Sequence, residues 1–124
     1  MFQIDLMSRT PIYEQLGRQT EKLILAGVLK PFDKLPSVRS LSAKLSVNPN
    51  TIQRAYTQMC DRGILVSMAG KGCYVTENAK DIIRADAVTK FDALDELIKE
   101  LIMAGISKEE IEEHVRDLLE TLTL

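Results

Sequence analysis

A length of 124 residues and a hydrophobic content of 45% allow one domain with a compact core, or a small domain with an appendage. The sequence contains no apolar run near the roughly 18 residues that span a bilayer and no secretory-signal pattern, which predicts a cytoplasmic protein without membrane contact. The formal net charge of −2 is unevenly divided, because residues 1–79 hold ten Lys and Arg against six Asp and Glu, whereas residues 80–124 hold six against twelve.

The first predicted element is a helix that opens at Thr10-Pro11 and ends near Gly27. Its apolar face is formed by Ile12, Leu16, Leu23 and Ile24. We expect this helix to act as scaffold. A contact between its polar N-terminal residues and a phosphate is the alternative, since a helix N-terminus attracts anions.

Two short amphipathic helices follow, separated by a tight turn. The first has apolar positions Val38, Leu41 and Leu45, and the second has Ile52, Ala55, Tyr56 and Met59. Asn48 is the predicted N-cap of the second helix, and Pro49 fits its first helical position. The polar face opposite the apolar one has the hydrogen-bonding capacity to meet DNA base edges, and it is formed by Asn50, Gln53, Arg54 and Thr57. The second helix is therefore the candidate recognition helix of a helix-turn-helix.

A glycine-tipped hairpin is predicted after the recognition helix. Gly63 is a helix stop, and the runs 64–66 and 73–75 read as short strands joined through Ala69, Gly70, Lys71 and Gly72. A hairpin with one lysine at its tip is typical of the wing of a winged helix-turn-helix. Because glycines let a backbone approach closely, we expect Lys71 to reach the minor groove or its phosphates.

The remaining residues predict a helical hairpin. One long amphipathic helix runs from Ala79 to a stop at Gly105, and Ser107 with Glu110 can form a capping box for a second helix. The apolar stripes of the two helices contain Phe91, Leu94, Ile98, Leu101, Ile111, Val115, Leu118 and Leu122. Two helices cannot bury such stripes alone, so the hairpin either folds onto the preceding domain or pairs with the same hairpin of a second chain. We expect a homodimer, since helix-turn-helix proteins commonly bind symmetric half-sites.

The predicted fold class is mainly α with a small β-hairpin wing. Residues 1–78 form an N-terminal winged helix-turn-helix that binds DNA, and residues 79–124 form a C-terminal two-helix dimerisation hairpin. The charge division fits this order, because DNA affinity is dominated by phosphate contacts and an acidic tail is repelled from the duplex. Two ordinary solvated surfaces are the alternative interpretation of the same charges.

The run from Leu35 to Val75, LPSVRSLSAKLSVNPNTIQRAYTQMCDRGILVSMAGKGCYV, resembles the DNA-binding domain of the GntR family of bacterial transcription regulators. Residues 8–124 are similar to the short YtrA-type members, through PIYEQL at Pro11–Leu16 and NPNTIQRAY at Asn48–Tyr56. One departure is Phe32, which stands where the family usually has glycine. The resemblance implies a sequence-specific regulator of double-stranded DNA, most often a homodimeric repressor on a palindromic operator. YtrA-type regulators often control operons for membrane transporters.

These patterns together predict a set of DNA-binding residues: Ser37, Arg39, Asn48, Asn50, Thr51, Gln53, Arg54, Gly70, Lys71 and Gly72. Ser37 can cap the first motif helix and also donate to a phosphate. Arg39 offers a groove or phosphate contact, including bidentate recognition of guanine, and an ordinary surface arginine is the alternative. For Thr51, local packing or capping is the alternative.

We predict no enzyme, no metal site and no cofactor, since the sequence lacks a nucleophile-base pair, a phosphate loop and a metal cluster. Cys60 and Cys73 lack CxxC spacing and are interpreted as structural thiols, and His114 as part of a solvated helix face. The tail is too short for a separate ligand-binding domain, so a small-molecule effector stays unknown. A winged-helix module that binds proteins without specific DNA binding is the alternative function, which the basic half and the polar recognition face disfavour.

Overall fold

The computed structural model describes residues 1–123. Within them, helices and one antiparallel hairpin follow the order α1 (Ile12–Leu25), α2 (Val38–Leu45), α3 (Pro49–Asp61), β1 (Leu65–Met68), β2 (Gly72–Val75), α4 (Ala79–Val88), α5 (Lys90–Met103) and α6 (Lys108–Leu122). This architecture confirms the predicted fold class, mainly α with a β-hairpin wing. No described helix combines the length and apolar character that a membrane crossing requires.

The chain divides into two compact units, residues 1–85 and the residues from Asp86 onward, so the division falls inside α4. The first unit contains α1, α2, α3 and the hairpin, and it also contains the start of α4, where Ala79 and Ile83 are buried. The functional boundary between residues 78 and 79 stays a prediction.

The helix starts of the helix-turn-helix follow the predicted capping chemistry. The Ser37 side chain accepts a hydrogen bond from the Ser40 backbone N–H at 3.0 Å, which caps α2. Asn48 Oδ1 accepts from the Asn50 backbone N–H at 2.8 Å, and Pro49 occupies the first helical position of α3. Between the helices, Ser46 takes the left-handed conformation with φ of 56°. The turn is therefore fixed by local hydrogen bonds and by the fixed φ of proline.

A single apolar core holds the first unit together. Its members come from α1 to α4, the two strands and the segments between them, and the large side chains that are fully buried include Leu16, Leu35, Ile52, Met59, Ile64, Leu65 and Val75. The buried Tyr56 donates its hydroxyl to the Pro36 carbonyl at 2.7 Å, which ties α3 to the segment before α2. Burial, with a smaller contribution from Cys73, raises the pKa of Tyr56 well above its usual range. This phenol stays protonated and keeps its hydrogen bond throughout the neutral range.

The wing is joined to the segment that precedes α2. Leu65 pairs with Val75 and Met68 with Gly72, and the second strand also receives a hydrogen bond from the Leu35 N–H to the Cys73 carbonyl at 2.9 Å. The Phe32 N–H donates to the Val75 carbonyl at 2.8 Å. Phe32 adopts the left-handed backbone with φ of 72°, a conformation that glycine takes without steric cost. Its ring is 69% exposed.

The predicted long helix after Ala79 is divided into α4 and α5 at Thr89. Thr89 keeps helical dihedral angles, but its hydroxyl donates to the Asp86 carbonyl at 2.6 Å. Such a bond from a side chain to the preceding turn competes with the backbone hydrogen bonds of a helix, which accounts for the end of α4 before Thr89. The predicted capping of α6 is present, since Ser107 Oγ accepts from the Glu110 N–H at 3.1 Å.

Candidate nucleic-acid interface

The outward face of α3 carries the polar side chains predicted for base recognition. Asn50, Gln53 and Arg54 are exposed, whereas Thr51 is half-buried. Asn50, Arg54 and Thr57 follow steps of four and three residues, so they lie in one stripe along the helix. The opposite face packs into the core through Ile52, Ala55, Tyr56 and Met59. The core therefore fixes which side of α3 is presented to solvent.

Gln53 is engaged with its own helix. Its Nε2 donates to Thr57 Oγ1 at 3.2 Å, so the amide lies along the helix axis. A glutamine that reads adenine uses both its amide N–H and its carbonyl oxygen. Adenine recognition by Gln53 thus requires the exchange of this intrahelical hydrogen bond for one to the base.

Arg54 has an aromatic partner that the sequence pattern did not indicate. Its guanidinium carbon lies 3.9 Å from the ring centroid of Tyr13, in the first turn of α1. The distance is well inside the range of a cation–π contact. The only sequence signal for this pair is the position of the tyrosine within PIYEQL, at the start of a helix expected to be scaffold.

The N-terminus of α2 presents the two other predicted polar contacts. Arg39 is the second residue of this helix and is exposed. Ser37 is also exposed, and its oxygen accepts from Ser40 N–H, which leaves its hydroxyl hydrogen to donate outward. A serine in this state can cap the helix and donate to a phosphate at the same time.

The wing tip places Lys71 in an exposed turn. The Lys71 N–H donates to the Met68 carbonyl at 2.9 Å and closes the turn, in which Gly70 has φ of 72°. Gly72 has φ of 105°, and a Cβ there would lie 3.0 Å from Lys34 Cε. The Lys34 side chain therefore lies beside the wing turn and gives it a second cation, which sequence reasoning missed because the two lysines are far apart in the chain.

Comparison with known proteins assigns the family of this chain. Residues 12–75 match the family described as bacterial regulatory proteins, gntR family. The chain belongs to the gntR family. It is 40% identical over 119 residues to the HTH-type transcriptional repressor YtrA of Bacillus subtilis (strain 168), covering 95% of this chain and 92% of YtrA.

Two solved structures place this gntR-family chain among proteins of known architecture. YtrA from Sulfolobus acidocaldarius, a GntR-family transcription factor, is 32% identical with a TM-score of 0.58, and the match covers 99% of this chain and 100% of that one. The DNA-binding domain of AraR in complex with operator ORX1 is 28% identical with a TM-score of 0.53, over 61% of this chain and 93% of that one.

Family membership makes the chain a DNA-binding transcription regulator of the GntR/YtrA type. The predictions of the family and of a non-enzymatic function are therefore confirmed. The roles of individual residues at the interface remain predictions.

The two cysteines of this regulator are free thiols within the DNA-binding unit. Both are half-buried against the core, Cys60 on α3 and Cys73 on β2. Burial, followed by the neighbouring Cys73 thiol, raises the pKa of Cys60 to about 11. A thiol that stays protonated at neutral pH is a poor nucleophile, so Cys60 acts as a small apolar side chain. Among residues 1–123, no three side chains of the ligating types come together to hold a metal ion.

Proposed function

We propose that this chain is a cytoplasmic homodimeric repressor that binds a palindromic operator. The observation that carries the proposal is the capped recognition helix α3, whose exposed stripe of Asn50, Arg54 and Thr57 is fixed by a buried opposite face. The similarity over 95% of the chain to a protein named as a transcriptional repressor supports the sign of regulation. The resemblance to YtrA-type members further suggests a transporter operon as the target.

In this proposal, the predicted DNA-binding residues have three roles. Base edges are read by Arg39 at the start of α2 and by the side chains on α3, since a helix in the major groove reaches the donors and acceptors that distinguish base pairs. The phosphates are held by Ser37 and by the wing residues Gly70, Lys71 and Gly72. Asn48 acts through its cap, which fixes the start of α3.

The proposed dimer is formed by α5 and α6. Neither helix buries any of its residues in the single chain, and the side chains left in solvent include Phe91 at 61% exposure and Leu122 at 69%. A soluble chain rarely leaves so large an apolar surface uncovered. A second copy of the same hairpin covers it by symmetry, because each copy offers the same stripes. This places two recognition helices in one assembly, as a palindrome requires.

The proposed function is tested by titrating the purified protein against the intergenic DNA upstream of its own gene and a scrambled duplex of equal composition. Measurement at two salt concentrations separates phosphate contacts from base contacts, and sedimentation gives the oligomeric state in parallel. We expect a dimer that prefers the native fragment and loses affinity as salt rises. A folded dimer without preference on this or any duplex selected from a random library contradicts the operator proposal and favours a protein-interaction module.

Lys71→Ala is expected to weaken binding to operator and scrambled DNA by the same factor. Lys71 meets the sugar–phosphate backbone in this proposal, so its removal takes away one phosphate contact without sequence information. The slope of log affinity against log salt should fall in magnitude by about 1. Lys108→Ala, which removes an exposed amine from the acidic tail, is the matched control and should leave both affinities and the slope unchanged. A loss confined to the operator would assign Lys71 to base recognition instead.

A further inference from the structure

We propose that Tyr13 is a positioning residue for DNA recognition, which holds the Arg54 guanidinium in place before DNA arrives. The contact that carries this inference is the 3.9 Å separation between the Arg54 guanidinium carbon and the Tyr13 ring centroid. The inference deepens the proposed function and rests on Arg54 being a DNA contact. It adds α1, which the sequence presents as scaffold, to the recognition machinery.

The packing of α1 on α3 gives Tyr13 a fixed position. The two helices share buried residues, with Leu16, Thr20 and Ile24 of α1 facing the same core as α3. Arg62, at the end of α3, forms an ion pair with Glu21 of α1, with Nη1 and Oε1 2.7 Å apart. This pair lies eight residues beyond Tyr13 on one helix and eight beyond Arg54 on the other. The helices are thus joined at two points, which sets the position of Tyr13 on α1 relative to Arg54 on α3.

The ring has a defined orientation as well as a defined position. Tyr13 is half-buried, and its hydroxyl donates to Glu14 Oε1 at 3.4 Å. The hydroxyl is therefore directed along α1, while the ring meets the guanidinium carbon. The contact with Arg54 depends on the aromatic ring and not on the hydroxyl. A tyrosine that acted by donating to a phosphate would depend on its hydroxyl, so the two roles can be distinguished.

Stacking suits an arginine that must bind a polyanion. The N–H donors of a guanidinium lie in its plane, so a ring on one face leaves the fork available for a bidentate contact with a phosphate or a guanine. An arginine free in solvent has many rotamers and loses that freedom when DNA binds. A guanidinium already held against a ring has less rotamer freedom to lose when DNA binds. The same contact between arginine and DNA therefore contributes more to affinity. Arg54 is exposed, as this role requires.

The test is a double-mutant cycle on the tightest duplex that the wild-type dimer selects from a random library. We expect Tyr13→Leu to weaken binding about fivefold, in line with an exposed cation–π contact, whereas Tyr13→Phe keeps the ring and stays within about twofold of wild type. In an Arg54→Ala background, Tyr13→Leu should have no further effect, because its partner is absent. Thermal melting of each variant checks the fold, and Tyr13→Met is a second variant without a ring if Tyr13→Leu melts early.

Three results overturn the inference. The first is an equal loss from Tyr13→Leu with and without Arg54, which assigns Tyr13 to helix packing. The second is a loss from Tyr13→Phe as large as from Tyr13→Leu, which assigns the effect to the hydroxyl. The third is wild-type affinity for Arg54→Ala or for Tyr13→Leu. Each leaves operator binding by the wild-type protein intact, whereas failure of the wild-type protein to prefer any duplex is the separate failure of the proposed function.

Discussion

Arg39→Ala is expected to cost about 1–3 kcal/mol of operator affinity, roughly 5- to 150-fold, with a much smaller change on random DNA. Arg39 is exposed at the second position of α2, in the turn whose start is fixed by the Ser37 cap. From there a guanidinium can form two parallel hydrogen bonds to guanine O6 and N7, a contact that the other base pairs do not offer. Fluorescence anisotropy on the operator and on a scrambled duplex, at one salt concentration, measures both losses.

Lys44→Ala is the matched control for Arg39, because Lys44 is a cation in the last turn of the same helix and is also exposed. This variant tests whether any positive charge on α2 contributes as much to DNA affinity as Arg39 does. We expect only a small change for Lys44→Ala, equal on the two duplexes. Equal losses on operator and scrambled DNA for Arg39→Ala would show that Arg39 meets phosphates and reads no base.

The parts of the fold that the sequence predicted are those determined by neighbours in the chain. Ser37, Asn48 and Ser107 cap their helices through backbone N–H groups two or three residues away, so a short run of sequence holds all the necessary information. The same holds for the wing turn, where Gly70 has a positive φ that glycine adopts without strain.

The parts that the sequence did not predict depend on residues that are distant along the chain or on competing local bonds. Arg54 meets Tyr13 only because α1 packs on α3, and Lys34 reaches the wing only because the segment before α2 pairs with β2. Apolar periodicity predicted a continuous helix through Thr89, since a hydroxyl that bonds to the preceding turn leaves the spacing of apolar residues unchanged. Periodicity reports which face is apolar and carries no information about such side-chain bonds.

Phe32 illustrates how the fold tolerates a departure from the family pattern. The left-handed conformation costs a residue with a Cβ roughly 1 kcal/mol, and the segment is held in this turn by hydrogen bonds from the Phe32 N–H to the Val75 carbonyl and from the Leu35 N–H to the Cys73 carbonyl. These hydrogen bonds to β2 set the path of the segment into α2. The position of Arg39 therefore depends on backbone pairing that is present although Phe32 stands where the family usually has glycine.

Leu94→Asp is expected to convert the proposed dimer into a monomer. Leu94 is 42% exposed in the single chain and lies in the apolar stripe of α5, so dimerisation would bury its side chain. A carboxylate at this position must lose its water without gaining a partner, which opposes association by several kcal/mol. Analytical ultracentrifugation of wild type and variant at equal concentration measures the change directly, and circular dichroism checks that the helices persist.

The same substitution should lower affinity for a palindromic operator by roughly 10²- to 10⁴-fold, because two linked recognition helices bind a palindrome with an effective concentration that two separate chains lack. Affinity for an isolated half-site should stay unchanged, since Leu94 lies far along the chain from α3. Lys99→Ala is the control on the polar face of α5, where Lys99 is 68% exposed and forms an ion pair with Glu96 of its own helix. A variant that stays dimeric, or that loses half-site and palindrome affinity equally, contradicts dimerisation through this stripe.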